Sequence, residues 1–379
     1  MDNAQLSLEQ LAGQLLIAGF PDALTTAPAP IQDALQKGHL SGCILFRRNV
    51  ENVDQVLSLT TSIHEATTHA PAPPFVALDQ EGGRVVRLRE PLTPIPPMRL
   101  VGEYATAELA SHLSEVVATE VGALGFNLNF APVLDVDTNP DNPVIGDRSF
   151  SSDPKKVARY GGAWMAGHTI AGVLPCGKHF PGHGDTNQDS HLALPTLTHN
   201  KERLDRIELH PFRRLINAKI PMIMTAHIVM SAIDPIYPAT LSESVIRGLL
   251  RKQLGYNGVV VSDCLEMKAI ADHFDIEQVV ELGVRAGVDL FLISHTEEKW
   301  KKAHAHLVNT AQNDPEFAEL LTQSAERVLK LKKNELLRLG HPWKPAQNWR
   351  DVLGCHAHRE IAARLTAKAD AGVDPTEKD

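Results

Sequence analysis

The chain alternates short apolar runs with longer segments of helical periodicity. Eight apolar runs are bounded by glycine, proline or polar residues, as expected for buried strands, and they span residues 14–20, 42–46, 75–79, 126–130, 173–180, 221–227, 259–263 and 289–294. Apolar side chains recur every three or four residues in several intervening segments, which predicts helices over 107–124, 157–171, 201–218 and 241–254. Strands that alternate with helices pair in parallel through right-handed crossovers, so the pattern predicts an α/β protein.

The number of strand–helix units predicts a (β/α)8 TIM barrel, since eight such units over roughly 300 residues match that fold. An open doubly wound sheet has the same alternation, but the Gly-x-Gly-x-x-Gly loop typical of its nucleotide-binding forms does not follow the first run. Four runs end on titratable residues, namely Asp79, Lys178 with His179, His227 and Asp263. Because the carboxyl ends of barrel strands converge on the catalytic face, these endings favour the barrel.

The pattern changes near residue 340. Residues 341–349 contain prolines and two tryptophans, and 358–369 have the periodicity of a short amphipathic helix before a polar tail. This part is too short to bury a core of its own. We therefore expect a catalytic barrel over residues 1–340 and a short C-terminal extension over residues 341–379.

Composition narrows the possible partners and location. The chain of 379 residues is 43% hydrophobic and carries a formal net charge of −9, with no basic stripe for nucleic acid. Its four cysteines have neither zinc-ligand spacing nor a disulfide pattern. The N-terminus lacks a signal-peptide pattern, and no apolar run is long enough to span a membrane. We expect a cytoplasmic monomer with no metal, no cofactor, and neither nucleic acid nor membrane as a partner.

The segment 178–191, KHFPGHGDTNQDSH, carries most of the candidate chemistry. It contains one lysine, three histidines and two aspartates within fourteen residues. A carboxylate that accepts a hydrogen bond from one imidazole nitrogen raises the basicity of the other, so Asp189 and His191 suit proton transfer near neutral pH. Pro181, Gly182 and Gly184 predict a sharp turn that could let the segment swing as a lid.

This segment resembles the signature of glycoside hydrolase family 3, in the bacterial β-N-acetylglucosaminidase branch that acts in peptidoglycan recycling. Four more segments resemble that family in order and spacing: LFRRN at 45–49, DQEGGRVVRL at 79–88, APVLDVDTNPDNPVIGDRSF at 131–150 and GVVVSDCLEM at 258–267. The resemblance covers roughly residues 8–335. It implies a retaining exo-β-N-acetylhexosaminidase that releases terminal N-acetylglucosamine from muropeptides.

The resemblance also implies the roles of individual residues. Asp263 matches the nucleophile that forms a covalent glycosyl-enzyme, while His191 matches the general acid/base and Asp189 its dyad partner. The residues that match the terminal-sugar site are Asp79, Arg87, Arg148, Lys178 and His179. We expect Arg148 and Lys178 to lie near Asp263 and keep it ionised. The C-terminal extension resembles the linker to a second domain that relatives have and this chain lacks.

Other interpretations stay open. A β-glucosidase or a glycoside phosphorylase of the same family is the main alternative, and a non-catalytic sugar-binding protein is another. A third is a metal-dependent barrel hydrolase with His179, His183, Asp185 and His191 as ligands. In a fourth, the substrate's acetamido group replaces Asp263 as the nucleophile.

Several neighbouring residues have structural interpretations. We expect His183 and Asp185 to shape their loop, and Cys264 to tune packing beside the nucleophile. Arg148 could instead brace its own loop through Asp147. His227 could either line the pocket floor or be a hydrogen-bonded core histidine.

Overall fold

Eight parallel strands close into a barrel in the computed structural model, which describes residues 6–186 and 194–372. The strands are β1 Leu16–Ala18, β2 Gly42–Ile44, β3 Phe75–Leu78, β4 Leu128–Asn129, β5 Leu174–Phe180, β6 Met222–Thr225, β7 Val259–Cys264 and β8 Leu290–Ile293. Each strand pairs with its neighbours in the chain, and β8 pairs with β1 to close the ring. The predicted barrel is confirmed, and every predicted strand is present.

The barrel interior explains why most residues on both faces of the strands are apolar. Strand residues two apart share a face, so pairs such as Phe75 and Ala77 or Val259 and Val261 both point into the barrel, where they join one buried cluster. The intervening residues, such as Val76 and Val260, face outward and belong to a second cluster with the surrounding helices. Both faces of each strand are therefore covered, as expected for a parallel sheet.

Helices surround this barrel. The α-helices are Leu8–Gly13, Ala29–Lys37, Val53–Ala66, Met98–Tyr104, Ala107–Ala123, Pro154–Ala171, Lys201–Arg206, Leu209–Asn217, Lys268–Ala271, Ile276–Ala286, Glu297–Asn313, Pro315–Leu331, Trp349–Val352 and His356–Gly372. Asn52, Thr106 and Asp153 each begin a helix with a side chain that accepts a hydrogen bond from its first turn. A two-stranded parallel sheet, Thr196–Leu197 with Val229–Met230, lies outside the barrel.

Two predicted helices have a different form. The segment predicted over 201–218 is two helices that meet at Ile207 and Glu208. Pro211 accounts for the break, because proline is tolerated only in the first turn of a helix, so the second helix begins just before it. The segment predicted over 241–254 consists of a 3-10 turn, Ala239–Leu241, and a π-helix, Ser244–Gln253.

Register irregularities occur where the predicted site residues lie. Between β7 and β8, Leu290 pairs with Val261 and Leu292 with Cys264, so β7 carries one extra residue. An extra residue also lies in β5, between the partners of Ile223 and Thr225 in β6. Such bulges redirect side chains. At each bulge two consecutive residues line the same cleft, Lys178 with His179 in β5 and Asp263 with Cys264 in β7.

The C-terminal extension packs on the barrel over Glu120. This carboxylate is 1% exposed and accepts hydrogen bonds from the backbone N–H of Thr93 at 2.7 Å and of Gly354 at 2.9 Å, as well as from the His358 ring at 2.8 Å. Leu365 is buried in a cluster with residues of Met98–Tyr104 and Ala107–Ala123. Within the described ranges, no helix is long and apolar enough to cross a membrane.

Candidate active site

A cleft of about 590 Å³ opens at the carboxyl ends of the barrel strands. Six of the eight residues predicted for the site line this cleft: Asp79, Arg87, Arg148, Lys178, His179 and Asp263. The other two, Asp189 and His191, lie outside the described residues. The fold therefore brings together every predicted site residue that the structure describes.

A network of five charged side chains forms one wall of the cleft. Lys178 Nζ contacts Asp79 Oδ1 at 2.8 Å and Glu81 Oε1 at 2.5 Å. Arg87 donates to the other Asp79 oxygen at 2.9 Å, and Arg148 donates to both Glu81 oxygens at 2.8 and 2.9 Å. Three cations against two carboxylates leave this wall with one net positive charge.

Burial makes these contacts strong. The side chains of Glu81 and Lys178 are 1% and 2% exposed, whereas Asp79 and Arg87 are more open to the cleft. Burial alone raises a carboxyl pKa, but the adjacent Arg148 and Lys178 outweigh it and lower the pKa of Glu81 to about 2. Lys178 and Arg87 likewise hold the pKa of Asp79 well below its usual range. Both carboxylates are therefore ionised at neutral pH.

Asp135 holds the start of the segment 178–191. Its fully buried carboxylate accepts from the backbone N–H of His183 at 2.7 Å and contacts His179 Nδ1 at 2.7 Å. The His179 backbone N–H also points at it, at 3.2 Å. Because His179 lines the cleft, Asp135 orients its imidazole towards the cleft by binding the opposite ring nitrogen.

Two glycines of this segment allow close packing. A Cβ at Gly184 would lie 1.8 Å from the Val136 carbonyl oxygen, and a Cβ at Gly182 would lie 2.9 Å from the Glu208 side chain. Asp185 accepts from Thr138 at 2.6 Å, which ties the next residue to the same scaffold. The described part of the turn is therefore anchored, and these glycines serve close contact there. The swing predicted from the sequence stays a prediction.

The candidate nucleophile lies at the carboxyl end of strand β7, in the same cleft as the charged wall. Asp263 Oδ1 accepts from the Cys264 backbone N–H at 2.7 Å. In the described part of the chain, no cation lies within 4.0 Å of Asp263, since Lys178 and Arg148 are paired with Asp79 and Glu81. Both cations line the same cleft as Asp263 without contacting it, because the two buried carboxylates bind them, and their effect on the ionisation of Asp263 stays a prediction.

The described contacts bear on two other interpretations from the sequence, those of Arg148 and His227. Arg148 does not pair with Asp147, which instead contacts Arg84 at 2.9 Å, because Arg148 reaches the buried Glu81. His227 is 1% exposed and hydrogen-bonds to Thr240 and the Cys264 carbonyl, as a core histidine would.

The described residues of the segment 178–191, which end at Thr186, do not group their side chains as a metal site. His183 has its pKa lowered to about 4 by burial, and its Nδ1 contacts Thr186 Oγ1 at 2.8 Å. Asp185 Oδ2 lies 2.5 Å from His199 Nε2. Across residues 6–186 and 194–372, His179, His183 and Asp185 do not form a group of ligand atoms within 4.8 Å of one another. These positions do not favour the metal-hydrolase alternative.

No role was predicted from the sequence for Glu81 or Asp135. Both lie inside the segments quoted for the family resemblance, and Glu81 follows Asp79 by two residues at the end of a strand run. A strand-end carboxylate near another charged residue is the signal that could have found Glu81. Nothing in the sequence pairs Asp135 with His179 and His183, which lie more than forty residues away.

Comparisons with known proteins agree with this geometry. The glycosyl hydrolase family 3 N terminal domain matches residues 7–331. The structure is similar to a glycoside hydrolase family 3 β-N-acetylglucosaminidase from Paenibacillus, at 40% identity and a TM-score of 0.90 over 96% of this chain and 69% of that chain. It is also similar to a β-N-acetylhexosaminidase from Beutenbergia cavernae, at 34% identity and a TM-score of 0.81 over 87% of this chain and 100% of that one. β-Hexosaminidase A from Pseudoalteromonas piscicida is 36% identical over 92% of this chain, which spans 61% of that relative's length.

Proposed function

This chain is a glycoside hydrolase that belongs to family 3, and on that premise we propose that it is a retaining exo-β-N-acetylhexosaminidase that releases terminal N-acetylglucosamine. The observation that carries the proposal is the cleft itself, in which Asp263 stands near a wall of buried, ionised groups suited to a polyhydroxylated ring. The names of the matched relatives, β-hexosaminidases and a β-N-acetylglucosaminidase, support this activity.

The network of the cleft wall is suited to binding the sugar. Asp79 and Arg87 are 14% and 24% exposed, so they can exchange hydrogen bonds with ring hydroxyls, while the deeper Lys178 and Glu81 keep them in place. The net positive charge of this wall also offsets the negative charge of Asp263. A sugar bound there completes hydrogen bonds that the network has already oriented, which lowers the entropic cost of binding.

The reaction that we propose has two steps. The Asp263 carboxylate attacks the anomeric carbon while His191, oriented by Asp189, protonates the departing glycosidic oxygen, so one carbon–oxygen bond forms as another breaks. His191 then accepts a proton from water, which attacks the glycosyl-enzyme and releases the sugar with retained configuration.

We propose muropeptides as natural substrates, since their lactyl-peptide carboxylate suits Arg84 and Lys268, two further cations in the lining of the cleft. The same cations would accept phosphate, so phosphorolysis is a second candidate reaction. The cytoplasmic location and the monomeric state stay predictions, and light scattering during size-exclusion chromatography tests the latter.

Turnover of aryl glycosides tests the activity and its nucleophile. We expect the protein to hydrolyse 4-nitrophenyl N-acetyl-β-glucosaminide, and Asp263→Ala to lower kcat by about 10³-fold or more. The exposed Asp33→Ala serves as the matched control and should keep full activity. Near-normal turnover by Asp263→Ala would remove the assignment.

Leaving groups and acceptors distinguish the remaining alternatives. His191→Ala should slow a disaccharide substrate far more than the activated aryl glycoside, because only the former needs protonation of its leaving oxygen. Equal losses on both substrates would count against His191 as the acid. Faster turnover of the aryl glucoside would indicate a β-glucosidase, and formation of a sugar 1-phosphate in phosphate buffer would indicate a phosphorylase.

A further inference from the structure

Three potential metal ligands meet beside the candidate nucleophile. Cys264 ends β7, Glu266 follows it by two residues, and His295 lies two residues beyond the end of β8. One ligand atom from each lies within 4.8 Å of the other two, in the only such group among the residues that the structure describes. All three side chains line the cleft that contains Asp263.

We propose that Cys264, Glu266 and His295 form a binding site for a soft divalent cation such as Zn²⁺, and that the bound ion inhibits the enzyme. A thiolate, an imidazole and a carboxylate are the ligand types that zinc takes. Ligand atoms around a tetrahedral zinc are about 3.5 Å apart, given metal–ligand bonds of about 2.0–2.3 Å. Because the ligand atoms already lie within 4.8 Å of one another, they need to approach by at most about 1.3 Å.

Existing contacts hold two of these ligands near each other. The backbone N–H of His295 donates to Glu266 Oε2 at 2.6 Å, which links the loops after β7 and β8. The His295 ring stacks on Phe46 with centroids 5.9 Å apart, so its plane is supported by a contact that does not use the ring nitrogens. A site whose ligands are already restrained loses less entropy when it binds a metal.

The surroundings set the affinity. Burial raises the pKa of the Cys264 thiol to about 11, so coordination must displace the thiol proton into solvent. Burial first, and then the nearby Arg48, lower the pKa of His295. Arg48 and Lys299, whose Nζ lies 3.7 Å from Glu266 Oε1, both oppose a cation. We therefore expect moderate affinity and reversible occupancy. Three protein ligands leave one position for water or substrate, and an ion there would occupy the part of the cleft next to Asp263.

Zinc titration of the metal-free, reduced protein tests the site. We expect ZnCl₂ to inhibit hydrolysis of the aryl glycoside reversibly, with recovery on addition of EDTA. Cys264→Ser and His295→Ala should raise the zinc concentration for half-inhibition at least tenfold, measured for each variant relative to its own metal-free rate. Cys355→Ser is the matched control, since Cys355 is the other partly exposed cysteine, and its inhibition should equal that of the wild type.

Cobalt absorption provides a readout that needs no turnover. Co²⁺ bound to the unmodified chain should show a near-ultraviolet thiolate charge-transfer band, which Cys264→Ser abolishes and Cys355→Ser keeps. Equal zinc inhibition of all variants would place the ion on other groups and overturn the proposal, as would the absence of a thiolate band. Although inhibition rests on the proposed function, cobalt binding does not, so failure of one is distinguishable from failure of the other.

Discussion

Glu81→Gln tests whether the buried network stabilises the barrel as its geometry indicates. The substitution keeps the shape of the side chain but removes the charge that Lys178 and Arg148 contact. In the folded chain the carboxyl pKa falls from 4.5 to about 2. Each pKa unit corresponds to about 1.4 kcal/mol, so ionised Glu81 contributes about 3 kcal/mol. This figure agrees with the about 3–5 kcal/mol lost when one partner of a buried ion pair is removed.

The sign of the pH dependence follows from the lowered pKa. Because the folded pKa lies below the unfolded one, the contribution of Glu81 is complete above pH 4.5 and is lost as the pH falls towards 2. The free energy of unfolding of Glu81→Gln should therefore lie about 3 kcal/mol below that of the wild type at pH 7. At pH 3 the difference should be about half as large.

Urea unfolding at the two pH values measures this difference. Circular dichroism and tryptophan fluorescence, followed together, establish whether one transition describes the unfolding. Asp33→Asn is the matched control, since it removes an acid from the exposed Asp33–Lys37 pair, where the cost should stay below about 1 kcal/mol. A difference below about 1 kcal/mol for Glu81→Gln at pH 7, or one that does not shrink on acidification, would refute the reasoning.

Three further substitutions test buried contacts beside the cleft and under the C-terminal extension. Asp135→Asn should lower kcat/KM by about 10-fold or more at unchanged fold, because the His179 imidazole loses its charged partner, and steady-state kinetics with circular dichroism check this. Gly184→Ala should lower the melting temperature because its Cβ meets backbone, whereas Gly162→Ala in helix Pro154–Ala171, with open space around it, should be neutral or stabilising. Glu120→Gln should destabilise by about 1–3 kcal/mol in urea unfolding, and an unchanged stability would mean that the extension contributes nothing to the barrel.

The barrel could be predicted because burial leaves a direct trace in the sequence. Strands covered on both faces must be apolar along their whole length, so runs such as 75–79 and 259–263 are visible without a structure. Charged residues at the ends of those runs then indicate the catalytic face. The family resemblance added the roles of the residues, and the family and the glycoside hydrolase class are confirmed.

The pairing of the charges could not be predicted. Glu81, Arg148 and Lys178 meet only after three strands and their loops are in place, so the sequence could not show that Arg148 would choose Glu81 over its neighbour Asp147. The same limit applies to His295, which reaches Glu266 from the next strand across 29 residues. The spacing of residues along a sequence reveals metal ligands that share one loop, whereas Glu266 and His295 lie in two different loops.

Covalent labelling of Asp263 tests the central claim most directly. A 5-fluoro derivative of N-acetylglucosaminyl fluoride should accumulate a glycosyl-enzyme. The fluorine on C5 slows both steps, but the good fluoride leaving group keeps the first step fast, so the intermediate forms faster than water removes it. Mass spectrometry of the digested protein should then find one added sugar, on the peptide that contains Asp263. A label on another residue would contradict the account by identifying a different nucleophile, and turnover with no labelled protein would contradict it in favour of attack by the acetamido group.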